Sequence, residues 1–201
     1  MLRGMKRALI GIGLAIVGCG SSDKASVDGG ASGDGGASGD GGTQTGTFKL
    51  TSTAFAEGAA IPVENTCSGA NTSPVLAWTG APSEVKSFAL TLIDPDASNL
   101  KHWVIYDIPA TATGLPAHVE NVYAPGNVAG AHQTESDHAP TIGYYGPCPP
   151  ALHHYHFTVY ALDVATLPGG TANTTAAEAV AAISTNMIAH AELTGTFMKP
   201  N

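Results

Sequence analysis

The sequence predicts a mainly β domain, an antiparallel β-sandwich of Greek-key type with a peripheral C-terminal helix. Three observations lead there. Apolar residues alternate with period two in short runs, most clearly Phe88, Leu90 and Leu92 within Ser87-Phe88-Ala89-Leu90-Thr91-Leu92-Ile93, as in a strand with one buried face. These short runs are separated by Pro- and Gly-bearing turns, which favours antiparallel connections over βαβ units. One helix is clearly signalled: Thr175-Ala176-Ala177-Glu178 has capping-box spacing, and Val180, Ile183 and Met187 follow at helical intervals.

The first 46 residues read as something other than this domain. Arg3, Lys6 and Arg7 form a positive leader, and residues 8–17 form an apolar stretch too short to serve as a final anchor across a hydrocarbon core of ~30 Å. Ile16-Val17-Gly18-Cys19 resembles a bacterial lipobox. Residues 1–18 are therefore expected to be a signal peptide, with Cys19 the lipidated, palmitate-bearing N-terminus of an exported protein. Acyl chains at ~0.8 kcal/mol per buried CH₂ would hold it on the bacterial envelope, at the periplasmic or outer-surface face, if more than one chain is attached. Ordinary secretion and an uncleaved segment are the alternatives. Residues 19–46 contain Gly-Gly-Ala-Ser-Gly-Asp twice, at 29–34 and 35–40, and no large apolar side chain beyond Val27 to offset ordering entropy. They read as a disordered tether. A Ca²⁺-binding repeat would need an apolar stacking position that the motif lacks. Residues 47–201 remain for the domain.

Charge excludes one class of partner. Only 12% of residues are charged and the formal net charge is −8. A chain starting at Cys19 loses three of its eight basic residues and none of its sixteen acids, which leaves it near −11. Nucleic-acid affinity depends on Lys and Arg neutralising phosphates, so such binding is set aside.

Within the domain, Phe48-Lys49-Leu50-Thr51 and Val75-Leu76-Ala77-Trp78 read as the first two strands. The strand at 87–93 stops at Asp94-Pro95-Asp96, because Pro95 has no N–H for the ladder. A second strand, His102-Trp103-Val104-Ile105-Tyr106-Asp107-Ile108, stops at Pro109. The connection is hairpin-sized, so Asp94, Asp96 and His102 fall near one end of a sheet. Residues 114–146 read as loop, longer than the ~15 residues usual in a compact domain, and so as a pocket wall running into Cys148-Pro149-Pro150. A further strand runs to Leu162, with Tyr155, Phe157 and Val159 on one face; alternation adds His153 to that face and turns His154 away. Leu193-Thr194-Gly195-Thr196-Phe197 reads as an edge or returning strand.

Several of these runs together resemble the phosphatidylethanolamine-binding protein family, which includes the Raf-kinase-inhibitor-like proteins. They are Cys67-Ser68-Gly69-Ala70-Asn71-Thr72-Ser73-Pro74 with Leu76-Ala77-Trp78, Asp94-Pro95-Asp96-Ala97 with His102-Trp103, Gly143-Tyr144-Tyr145-Gly146-Pro147-Cys148-Pro149-Pro150, and His153-His154-Tyr155. The resemblance spans about residues 47 to 201. It implies a β-sandwich, no enzymatic activity, no cofactor, and a small pocket for an anion such as a phospholipid head-group phosphate. Carried over position by position, the ligand-binding residues are Asp94, Asp96, His102, Cys148, Pro149, Pro150, His153 and Tyr155. Two imidazoles and a phenol there are expected to donate to a phosphorylated or carboxylated ligand, with an aspartate holding one imidazole in place. Three departures bear on the pocket's width: the turn at residues 98–101 is short, His154 stands where the family has a basic residue, and the linker after Pro150 is abbreviated.

Two other functions compete with the binding module. A protein that inhibits a partner enzyme through the pocket rim would use the same surface. A metal carrier or enzyme would use His153, His154 and His156, although 154 and 156 share a strand face that 153 does not, and a closed zinc site wants four ligands. No Gly-x-Ser-x-Gly elbow supports hydrolysis. With Cys19 assigned to lipid, Cys67 and Cys148 are expected to form a disulfide in an exported domain, two buried thiols being the alternative.

Overall fold

The computed structural model describes residues 47–138 and 140–200. The expected signal peptide, Cys19 and the tether all lie outside the described residues. Among the described residues, eight strands form two antiparallel sheets. The smaller joins β1 (Lys49–Thr51), β2 (Leu76–Thr79) and β5 (Gly114–Leu115) in the order β1-β2-β5. The larger joins β6 (His132–Gln133), β4 (Leu100–Pro109), β3 (Ser87–Asp94), β7 (His153–Leu162) and β8 (Met187–Phe197) in the order β6-β4-β3-β7-β8. Helix α1 covers Ala176–Asn186.

Alternation explains two apolar layers. Phe88, Leu90 and Leu92 of β3, Trp103 and Ile105 of β4, and Tyr155, Phe157 and Val159 of β7 pack against Leu50, Leu76 and Trp78 of the smaller sheet. On the other side, Ala89, Val104, Tyr106 and Leu162 meet Ala176, Ala179 and Ile183 of α1. Strand β3 is thus buried on both faces, where its sequence pattern predicted one. Its small and hydroxylated residues, Ala89 and Thr91, face the helix side because the sheet and helix leave little room between them. The capping box forms as expected: Glu178 N–H donates to Thr175 Oγ1 at 3.2 Å and Thr175 N–H to Glu178 Oε2 at 2.9 Å. Such a cap contributes about 1 kcal/mol. Met187, expected to continue the helix, instead opens β8 and is 40% exposed; α1 ends at Asn186, whose side-chain amide donates to the Ala182 carbonyl.

Two bulges shape β4. Between the pairs Phe88↔Ile108 and Leu90↔Ile105, β4 carries one extra residue, and Asp107 there adopts φ +58°. Asp107 compensates with its side chain, which accepts from Leu167 N–H at 2.6 Å and contacts His132 Nδ1 at 3.0 Å. The second bulge lies between Leu92↔Trp103 and Ile93↔Lys101, and its extra residue is His102. A bulge re-aims side chains that strict alternation would send to opposite faces. Consecutive His102 and Trp103 therefore both reach the inter-sheet core, His102 edge-on to Tyr155 and Trp103 edge-on to Tyr144.

The cysteines pair. Cys67 and Cys148 are disulfide-bonded with their Cα atoms 5.3 Å apart. Beside the bridge, Cys67 N–H donates to the Pro147 carbonyl at 3.0 Å, and Gly146 N–H donates to Asn71 Oδ1 at 2.7 Å. Any Cβ at Gly146 would meet the Asn65 carbonyl oxygen at 2.5 Å, so this close approach of two backbones requires glycine.

Candidate functional site

The site is built where β3 ends, β4 bulges and β7 begins. Asp94 closes β3 and caps a 3₁₀ turn at Pro95–Ala97, its Oδ1 accepting the Ala97 N–H at 3.1 Å. Ser98 and Asn99 follow with φ of 57° and 60°, reversing the chain tightly into β4. The other oxygen of Asp94 meets His153 Nδ1 at 2.7 Å. A buried aspartate with both oxygens engaged orients an imidazole and leaves Nε2 of His153 for a ligand. Tyr155, two residues on, is almost wholly buried. Burial pushes its phenol up, the nearby Asp94 carboxylate adds to this, and the hydroxyl remains a donor throughout the physiological range.

His102 sits behind them, 2% exposed. Its Nδ1 lies 2.9 Å from the Tyr145 carbonyl oxygen, and Tyr145 N–H donates back to the His102 carbonyl at 3.0 Å. A carbonyl oxygen only accepts, so Nδ1 carries the proton. Burial pushes the imidazole pKa from 6.5 down to about 4, against the opposing pull of the Tyr145 carbonyl. This corrects the expectation that His102 donates to an anion. At neutral pH its Nε2 is a bare lone pair, buried and without a protein partner.

A pH effect follows. An unfolded histidine takes up a proton near 6.5, whereas folded His102 resists until about 4. Between those values the unfolded chain binds more protons, so acidification through this window removes stability. The melting temperature of wild type should therefore fall more steeply from pH 6.5 to 4 than that of His102→Gln. Parallel profiles would show that His102 is not the group responsible.

Not every expected residue joins this cluster. Asp96 is exposed, and its Oδ2 accepts both the backbone N–H of His154 at 2.8 Å and its Nδ1 at 2.9 Å. That backbone N–H, then the ring, holds the Asp96 carboxyl below its ordinary value. It pins the start of β7 to the turn and does not join Asp94. Cys148 is half-buried in the disulfide and Pro149 is buried beside it, whereas Pro150 is exposed. The three clustered histidines are divided among separate carboxylates: His153 with Asp94, His154 with Asp96, and His156 with Glu192 at 2.8 Å. Among the described residues, no group of three or more His, Cys, Asp or Glu side chains is placed to hold a metal ion.

Sequence reasoning missed His138 and Tyr145. The His138 ring stacks on Tyr145 with centroids 4.1 Å apart and lies 4.9 Å from His102. Its pKa is lowered, chiefly by burial, and its Nε2 is also buried without a partner. Nothing periodic marks a loop histidine; the only signal was the Gly143-Tyr144-Tyr145-Gly146 run beside it. A cleft of about 430 Å³ lies elsewhere, lined by Tyr123, Gln133, Glu135, Pro140, Ile142 and residues 172–175. It has space but none of these convergent, unpartnered groups, and chemistry outweighs volume in placing the site.

Two antiparallel sheets with a helix on one face, and a cluster of histidine, aspartate and tyrosine at the strand ends, define a small-ligand-binding β fold. The chain belongs to the phosphatidylethanolamine-binding protein family, whose family model matches residues 51–198. It is 36% identical to YbcL of Escherichia coli over 165 residues, covering 77% of this chain and 89% of the relative. It is 39% identical over 154 residues to a Mycobacterium tuberculosis protein named as lipoprotein LppC, covering 74% and 71%. The crystal structure of E. coli YbcL, described as a new member of the mammalian PEBP family, superposes with a TM-score of 0.70 at 34% identity, covering 76% of this chain and 99% of that one. No helix among the described residues is long and apolar enough to cross a membrane.

Proposed function

We propose that the domain is a non-enzymatic binding module whose pocket at Asp94, His102, His153 and Tyr155 takes a small anionic ligand. It would be displayed on the bacterial envelope through lipid on Cys19. The observation that carries this reading is the Asp94–His153 pair. A buried carboxylate fixes one nitrogen of an imidazole at 2.7 Å, presenting the other beside a phenol that keeps its proton. The phenol donates to a ligand oxygen, and the imidazole, whose Nδ1–H serves Asp94, donates through Nε2 in its imidazolium form; hydrogen bonds from these groups to a charged oxygen are the strong kind. The lipoprotein name of LppC supports the envelope placement.

Titration calorimetry with phosphoethanolamine on wild type and single variants tests the pocket. His153→Ala should weaken binding roughly tenfold to hundredfold, the usual 1.5–3 kcal/mol for a hydrogen bond to a charged group. His154→Ala and His156→Ala should bind nearly as wild type, because those rings serve Asp96 and Glu192. Equal losses at 153 and 154 would place the ligand elsewhere.

A further inference from the structure

The site sets an unpartnered acceptor beside the phenol of Tyr155 and the Asp94-held imidazole of His153. We propose that Nε2 of His102 forms an acceptor floor to the site, so that the ligand must bring a hydrogen of its own. The pocket then selects oxyanions that retain a proton over fully ionised ones. This rests on the anion-pocket reading above and narrows its ligand class to protonated phosphoryl groups, against carboxylates and sulfate.

The tautomer comes from the backbone. His102 and Tyr145 are clasped twice, Nδ1–H to the Tyr145 carbonyl and Tyr145 N–H to the His102 carbonyl, so the ring cannot exchange its two nitrogens without breaking a contact. Nε2 then has only a lone pair to offer. The groups around the ring leave that lone pair unmet. Tyr155 is edge-on with centroids 5.3 Å apart, Tyr145 lies at 6.0 Å, and His138 at 4.9 Å. The nearby carboxylates are engaged elsewhere, Asp94 with Ala97 N–H and His153, and Asp137 with Lys101. An unmet buried acceptor is unfavourable, and a partner with an O–H or N–H relieves it. An oxyanion without hydrogen sets its own lone pairs against Nε2 and makes the site worse. Of the rings covering Nε2, Tyr145 is held by the double clasp; His138, on a loop and only half-buried, is the one that turns aside to admit the ligand.

Inorganic phosphate, methyl phosphate and sulfate separate the possibilities. At pH 8 phosphate still carries one hydrogen, whereas sulfate carries none and a phosphate monoester has lost its last one above about pH 6. Calorimetry on the full chain at matched ionic strength, pH 8, should show phosphate binding at least about tenfold more tightly than either. At pH 5.5 methyl phosphate should approach phosphate while sulfate stays behind. Sulfate controls for the charge of the other titratable groups facing the site, His138, His153, Asp94 and Asp137, and the comparison with a His102 variant separates Nε2 of His102 from that of His153, whose Nδ1 is held by Asp94; Tyr145 and Tyr155 also face the site but carry phenols. His102→Met, with folding checked by circular dichroism, should lower the phosphate-to-sulfate ratio several-fold by removing this acceptor, and an unchanged ratio would overturn the assignment to His102. Equal binding of phosphate and sulfate by wild type would overturn the acceptor floor and leave the anion pocket standing. Absence of binding by all three anions at both pH values would overturn the pocket and the floor with it.

Discussion

Reducing the Cys67–Cys148 bridge should cost the domain about 4 kcal/mol. The bonded residues are 81 apart in sequence, and in the chain-entropy description a loop of that size restricts the unfolded ensemble by roughly that amount. For a domain of this size the melting temperature should fall by about 10 °C, read by calorimetry with and without reductant on otherwise identical samples. The bridge also ties the segment around the 3₁₀ turn at Val63–Asn65 to the wall at Cys148-Pro149. Cys67→Ser with Cys148→Ser should therefore loosen the pocket wall as well as the fold. An unchanged melting temperature, with free thiols verified by alkylation, would show that native contacts alone supply the constraint.

Gln133→Leu should also be damaging, on the order of 2–4 kcal/mol, since a buried polar group left without a partner costs ~1–3 kcal/mol and two loop contacts are lost with it. Gln133 is fully buried. Its Oε1 accepts the Trp103 indole N–H at 2.6 Å, while Nε2 donates to the Glu120 and Val122 carbonyls at 2.7 and 2.8 Å. One amide thus fastens the long loop to the core, and leucine of similar size would strand the buried Trp103 N–H and release the Val122 carbonyl, while the Glu120 carbonyl keeps the Val122 N–H. Denaturant unfolding gives the measurement. Trp103→Phe, which removes a single donor at this node, should cost less than Gln133→Leu. A cost below about 1 kcal/mol for Gln133→Leu would mean that the loop finds its place without this side chain.

The strands were legible because period-two alternation survives wherever a sheet has an apolar face, and Phe88, Leu90 and Leu92 do line the inter-sheet core. The helix start was legible because capping chemistry is local: Thr175 and Glu178 need only each other. Asp94, His102, His153 and Tyr155 came together as the family resemblance implied. What stayed hidden depends on partners distant in sequence. The burial of β3 on its second face depends on α1, about ninety residues later. The tautomer of His102 is set by a carbonyl 43 residues away. Strands β5 and β6, two residues each, carry too few positions to show a period. His138 belongs to a loop, where no periodicity singles it out.

The bulge at His102 can also be considered as an insertion. Strike out that one residue and Lys101 adjoins Trp103, opposite the adjacent residues Ile93 and Leu92, so the ladder of β3 and β4 would run without interruption at this end, the bulge at Asp107 remaining. Trp103 would keep its place against Tyr144, and the remaining register from Trp103 to Pro109 would be untouched. A single codon separates a regular pairing at this end of β4 from one that carries a buried imidazole there. Substitution at His102 changes the chemistry of the site, whereas deletion would remove the imidazole and spare the framework around it.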